Sequence, residues 1–208
     1  MGIMAEQRPA INILPAGWDY PGWVGDFYPD DLPQEWQLAY FANEFPGVMV
    51  RQQVWLRRGA QTWNAWHADV GETFRFYLEV NQSVNIRKWV DAAGCLETNF
   101  GGFVVDLQWL ERAFAQAFLQ DSGLNCYTLF PKGSTTRDIQ RRSLDKLRVA
   151  FLLTTSELTD LKSQRRLLEK FAELVDSEAE VLLFLVGEPP MIDKLRDLRT
   201  LAQLLGLA

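Results

Sequence analysis

Val181-Leu182-Leu183-Phe184-Leu185-Val186 is apolar at every position, and Val149-Ala150-Phe151-Leu152-Leu153 repeats the habit. A strand that alternates apolar with polar residues has one wet face. A run with no alternation needs cover on both faces, as strands of parallel sheets have. Working outward, strand-like runs are read at 11–16, 48–56, 73–80, 102–107, 126–130, 148–153 and 181–186. Each is followed by a longer amphipathic segment, which predicts strand-helix units with parallel strands and helical crossovers. Predicted helices include one opened by Pro33 that carries Trp36, Tyr40, Phe41 and Phe45, and others at 109–119, 136–147, 158–175 and 191–205. Their spacing makes the aromatic residues core.

Open doubly wound sheets and closed barrels both satisfy this pattern. A dinucleotide fold would follow its first strand with a glycine-rich turn. Here Gly17-Trp18-Asp19-Tyr20-Pro21-Gly22-Trp23 is bulky and lacks G-x-G-x-x-G, so a nucleotide-binding sheet is disfavoured. A (β/α)8 barrel spans about 250 residues, with about 200 as its lower limit. Periodicity does not choose between the two α/β folds: a barrel here would be compact, with seven or eight parallel strands, and either fold occupies a single domain over residues 1–208.

The composition narrows the partners. A formal net charge of −6 opposes non-specific attraction to phosphate backbones, and nucleic acid is not expected. Arg137, Arg141, Arg142, Lys146 and Arg148 form one basic concentration, but Asp138 and Asp145 interrupt it at helical spacing, as on a solvated face. Two cysteines, Cys95 and Cys126, have no paired ligand spacing and support neither a disulfide framework nor a zinc ribbon. No export signal or membrane-length apolar run is visible, which points to the cytoplasm and to no membrane partner. No cofactor signature is legible, and the oligomeric state is open.

The stretch from Gly17 to Pro29, Gly-Trp-Asp-Tyr-Pro-Gly-Trp-Val-Gly-Asp-Phe-Tyr-Pro, followed by Leu32-Pro33, Trp36, Tyr40, Ala42 and Phe45, resembles the opening signature of the YecE-like family, domain of unknown function 72. Phe74-Arg75-Phe76-Tyr77-Leu78-Glu79-Val80 is similar to that family's third strand. The resemblance runs over about residues 13 to 80 and implies a TIM-type barrel of bacterial or archaeal origin, with no activity established for the family. It describes a divergent, short member. Where the family's second strand reads V-E-I-N this chain has Val48-Met49-Val50-Arg51, and where its third carries lysine this chain has Glu79. The resemblance implies that both positions face the barrel's working region.

A barrel gathers its ligand contacts at the C-terminal strand ends. That restricts the candidates to Trp18, Asp19 and Tyr20 after the first strand; Arg51, Gln53, Trp55 and Arg57 at the second; and Glu79, Asn81 and Gln82 at the third. Asp106 and Gln108 follow at the fourth, Lys132 at the fifth, Thr154, Thr155, Ser156 and Glu157 at the sixth, and Glu188 at the seventh. Asp19, Glu79, Asp106 and Glu188 are the carboxylates from which an acid/base pair would be drawn. Trp18, Tyr20 and Trp23 form either a stacking platform for a sugar or base or a plug over the barrel end. Lys132, Ser134, Thr135 and Arg137 border a glycine turn that enters a hydroxyl-capped helix, where N–H groups suit a phosphate or carboxylate. His67 is the only histidine, so an imidazole metal site lacks partners and no metal ligands are assigned. The expected ligand-binding set is Trp18, Tyr20, Arg51, Asn81, Lys132, Ser134, Thr135 and Arg137. The expected function is binding of a small polar or anionic metabolite at the C-terminal mouth, with catalysis left open. The alternatives are a metal-assisted phosphoester- or sugar-modifying enzyme and an interaction or structural protein.

Overall fold

In the computed structural model, which describes residues 8–81, 86–110, 123–143 and 148–208, seven parallel strands form one sheet in the order β1-β7-β6-β5-β4-β3-β2. The strands are β1 Ala10–Pro15, β2 Gly47–Val50, β3 Arg75–Val80, β4 Phe100–Asp106, β5 Cys126–Phe130, β6 Arg148–Thr154 and β7 Glu180–Val186. The helices are α1 Gln37–Ala42, α2 Gln52–Trp55, α3 Ala60–Asp69, α4 Ile86–Leu96, α5 Leu107–Leu110, α6 Thr136–Arg142, α7 Leu161–Leu174 and α8 Ile192–Leu204. The sheet curls into a nearly closed TIM-type barrel. One expected strand is corrected: the run 48–56 breaks after Val50, where Arg51 turns the chain into α2. The predicted helix 109–119 beyond Leu110, the end of 136–147, Gln82, Asp145 and Lys146 lie outside the described residues.

The alternation of side chains explains how this sheet is covered. Leu14, Ala16, Met49, Tyr77, Val104, Tyr127, Leu129, Ala150, Leu182 and Phe184 point into the barrel and pack together. Their neighbours, among them Ile13, Val48, Phe76, Phe103, Phe151 and Leu183, point outward against the helices. Each strand is buried on both faces, hence the absence of polar alternation in Val181–Val186. Alanines at 16 and 150 leave room for Tyr77, whose ring centroid lies 5.6 Å from Tyr127 and 5.8 Å from Phe184. The interior is a packed core, as in other barrels. Near its N-terminal end Glu180 accepts hydrogen bonds from Asn12 Nδ2 at 3.2 Å and the Tyr127 hydroxyl at 2.8 Å.

Closure is the weak seam. Even-numbered amides of β1 bond β7, as in Ala10 N to Ala179 O and Ala16 N to Leu185 O. The odd-numbered ones face β2. There Pro15 has no N–H to offer, a reason for its tolerance at a strand edge. Gly17 N donates to Met49 O at 2.9 Å beside an isolated bridge between Ala16 and Met49. Lower down, Ile11 N donates to Leu207 O at 2.5 Å, so the segment after α8 covers the open edge. Among the described residues no helix is long and apolar enough to cross a membrane.

Candidate functional site

A cavity of about 1120 Å³ opens beside the C-terminal ends of β1, β2, β3 and β7. Its floor begins with Arg51 and Glu79, both on the inward-facing line of their strands. Arg51 Nη1 donates to Glu79 Oε1 at 2.9 Å. Glu79 Oε2 accepts from the Gln52 backbone N–H at 3.1 Å, so both carboxylate oxygens are engaged. The Glu79 side chain is only 7% exposed, whereas that of Arg51 is 30% exposed and faces the cavity. The next turn is tied to the same point: Trp55 Nε1 donates to Glu79 O at 2.8 Å, and Asn81 N donates to the Gln52 side-chain oxygen at 2.5 Å.

The walls come from the loop after β1 and from α3. Gly17 takes φ +89°, and a Cβ there would come within 2.9 Å of the Tyr20 hydroxyl, so glycine lets the chain fold Tyr20 back beneath its own strand. That hydroxyl donates to Ala16 O. Burial first, then the negative charge of Glu188, pushes the Tyr20 phenol above its ordinary value, with Arg51 opposing. Tyr20 therefore senses both charges across the cavity. Asp19 is exposed and accepts from Gln34 Nε2 at 3.0 Å. Trp18 stands edge-on to Trp66, with ring centroids 5.1 Å apart. Tyr28 holds the Trp18 carbonyl by a 2.6 Å hydrogen bond, and burial raises its own phenol further.

The candidates divide cleanly by position. Trp18, Asp19, Tyr20, Arg51, Gln53, Glu79, Asn81 and Glu188 line the cavity. Asp106, Gln108, Lys132, Ser134, Thr135, Arg137 and Arg57 do not. Asp106 Oδ1 instead accepts from Gln108 N at 2.8 Å at the start of α5. Lys132 pairs with Glu157 at 2.8 Å. Around Glu157, burial acts upward, but the Lys132 and Thr154 hydrogen bonds outweigh it and leave the carboxyl below its ordinary value. Thr135 and Asp138 complete a capping box on α6, in which Asp138 accepts from Thr135 N at 2.8 Å and from its hydroxyl at 2.7 Å. The turn at Ser134 and Arg137 thus supplies its own anion. Trp23 belongs to the core: it is 3% exposed, stacks on Phe41 and donates Nε1 to Pro190 O at 2.9 Å.

Several cavity residues escaped the sequence reading. Gln61, Thr62, Ala65, Trp66 and Asp69 all line it from one face of α3, and Gln52, Arg58, Gln34 and Glu35 complete it. Their signal in the sequence is a helical stripe mixing polar residues with Trp66, away from the strand ends. His67, on the same helix, points elsewhere. Its Nδ1 lies 2.5 Å from Asn99 Oδ1, while Asn99 Nδ2 donates to Gly71 O and Phe74 O at 2.8 and 2.9 Å. Because the Asn99 amide nitrogen is thereby used, Oδ1 is the acceptor and His67 Nδ1 carries the proton. Among the described residues no group of three His, Cys, Asp or Glu side chains is arranged to hold a metal ion. Cys95 and Cys126 are free thiols, and burial pushes Cys126 up to about 12.

Comparison with solved structures gives the same architecture. The chain superimposes on a DUF72 family protein from Enterococcus faecalis with a TM-score of 0.61 at 12% identity, covering 93% of this chain and 95% of that one. On a DUF72 family protein from Thermotoga maritima the TM-score is 0.57 at 12% identity, covering 93% and 99%. At such identity these likenesses speak for the fold. No curated protein matches the sequence. The model of the family described as "Protein of unknown function DUF72" matches residues 14–123, which run from the end of β1 through β4 and take in most of the cavity's lining, and the chain belongs to that family.

Proposed function

We propose that the cavity beside β1, β2, β3 and β7 is a binding site for a small polar molecule. The observation that carries this reading is convergence: polar side chains from separate strand-helix units, Asp19, Arg51, Glu79, Asn81 and Glu188, meet one recess walled by Trp18 and Trp66. Its volume of about 1120 Å³ suits a metabolite-sized ligand, and apolar walls with a few convergent polar groups are the usual makeup of such sites. Arg51 is held in place by buried Glu79. A pre-organised donor loses less freedom on binding than a free arginine would.

Binding is favoured over metal-assisted turnover by the state of Glu79, both of whose oxygens already accept hydrogen bonds from the protein. Around Lys132, Ser134, Thr135 and Arg137 an anion would compete with the protein's own carboxylates, since Lys132 pairs with Glu157 and Thr135 with Asp138.

Thermal denaturation against monosaccharides, amino sugars, sugar phosphates and nucleotides tests the proposal. A ligand at 100 times its Kd adds about 2.7 kcal/mol, or roughly 5–10 °C for a chain of this size. Filling the recess by Ala65→Trp, which changes no charge, should abolish the shift. A flat response across the whole panel refutes the reading.

A further inference from the structure

We infer that the molecule bound in this cavity carries a positive charge, as a primary or quaternary ammonium group. The inference rests on the polar-ligand reading and goes on to the ligand's chemical class. It begins with the charge left over once internal pairs are removed. Arg51 is cancelled by Glu79 at 2.9 Å. Among the described residues, what remains on the lining is Asp19, Glu35, Asp69 and Glu188 against Arg58. The first four belong to four different parts of the chain: the loop after β1, the turn before α1, the end of α3 and the loop after β7. That they share one lining is a property of the recess rather than of one acidic segment.

Trp18, Tyr20 and Trp66 border the recess as a partly apolar wall. A concave, partly apolar wall concentrates the field of the carboxylates where a ligand would sit. Burial is the main reason the Tyr20 phenol lies above its ordinary value, and Glu188 adds to that more than Arg51 takes away. Asp19 is oriented by Gln34 without being neutralised, because an amide donates a hydrogen bond but brings no charge. Among the described residues, an anionic ligand would meet four carboxylates offset by one arginine, whereas an ammonium would meet four acceptors.

Isothermal titration with probes that differ in charge provides the test. Glucosamine, glucose and glucose 6-phosphate share a ring and carry positive, zero and negative charge, and spermidine supplies an amine without a sugar. At low salt glucosamine or spermidine should bind at least about tenfold tighter than glucose, equivalent to about 1.4 kcal/mol. That advantage should shrink as sodium chloride rises, since salt screens it. The double variant Asp19→Asn with Glu188→Gln should bring the ammonium and neutral probes to near equality. Both positions are exposed, and a urea melt confirms that the variant folds. If glucose or glucose 6-phosphate binds as tightly as the amines, the charge assignment is wrong and the polar site stands. If none of the four binds, site and charge assignment fall together.

Discussion

Met49, Arg51 and Glu79 differ from the strand patterns that the family resemblance implies, and the structure joins two of them, Arg51 and Glu79, in one ion pair. Read together, a base just after β2 answers an acid on β3, and each explains the other. Removing one partner should cost more than removing both, because an unpaired carboxylate in a buried setting loses its compensation while a matched apolar pair does not. Arg51→Met alone is expected to lower stability by roughly 2 kcal/mol, and the Arg51→Met, Glu79→Met double variant by less. Urea midpoints for the four members of that cycle measure the coupling. Additive losses would show that the two side chains are merely neighbours.

The elements are tied to one another by contacts that are remote in sequence. Arg196 on α8 makes a two-pronged bond to Glu44, just after α1, at 2.7 and 2.9 Å, and Arg199 donates to Glu44 O while lying over the Phe45 ring. The Arg196 hydrogen bond, with burial working against it, holds the Glu44 carboxyl below its ordinary 4.5. A carboxyl depressed in the folded state takes up a proton on unfolding, so its stabilisation is complete above the unfolded value and fades as pH falls through the folded one. Arg196 is half exposed, and solvent limits the pair to about 0.5–1 kcal/mol. Glu44→Gln should lose that amount at neutral pH and converge on the parent protein as pH drops below 4.5, as followed by urea melts across the range. A constant gap at every pH would assign the loss to packing.

At the scale of the whole molecule the fold depends on sealing a barrel of seven strands. The seam between β1 and β2 has one bridge and one strand-end hydrogen bond, and the remaining protection comes from Leu207, which is 1% exposed and accepts from Ile11 N. Leu207→Ala is expected to destabilise the protein by about 3 kcal/mol, the usual cost of a large-to-small change in a core. Hydrogen exchange adds the local signature: the Ile11 amide should exchange faster, whereas Leu183, in the middle of β7, should follow global unfolding only. Equal acceleration at both amides would mean that the segment after α8 is no special cover for the seam.

The parallel barrel was legible in the sequence because burial on both faces leaves a plain mark, the unbroken apolar runs at Val149–Leu153 and Val181–Val186. The opening signature from Gly17 to Pro29 likewise carried the family. The sequence also named which residues stand at strand ends, since strand direction puts Asp19, Arg51, Glu79 and Glu188 at the same end of the barrel. It did not choose among them. Lys132 and Thr135 sit at strand ends or just beyond them as well, and only their folded neighbours, Glu157 and Asp138, make them partners of the protein itself. Nor did it reveal that α3 turns Gln61, Thr62 and Trp66 toward the recess, because helical spacing says that residues share a face and not what that face meets. Local pattern follows from each segment's own side chains, whereas pairing of charges and the shape of a cavity depend on which distant segments are brought within a few ångströms.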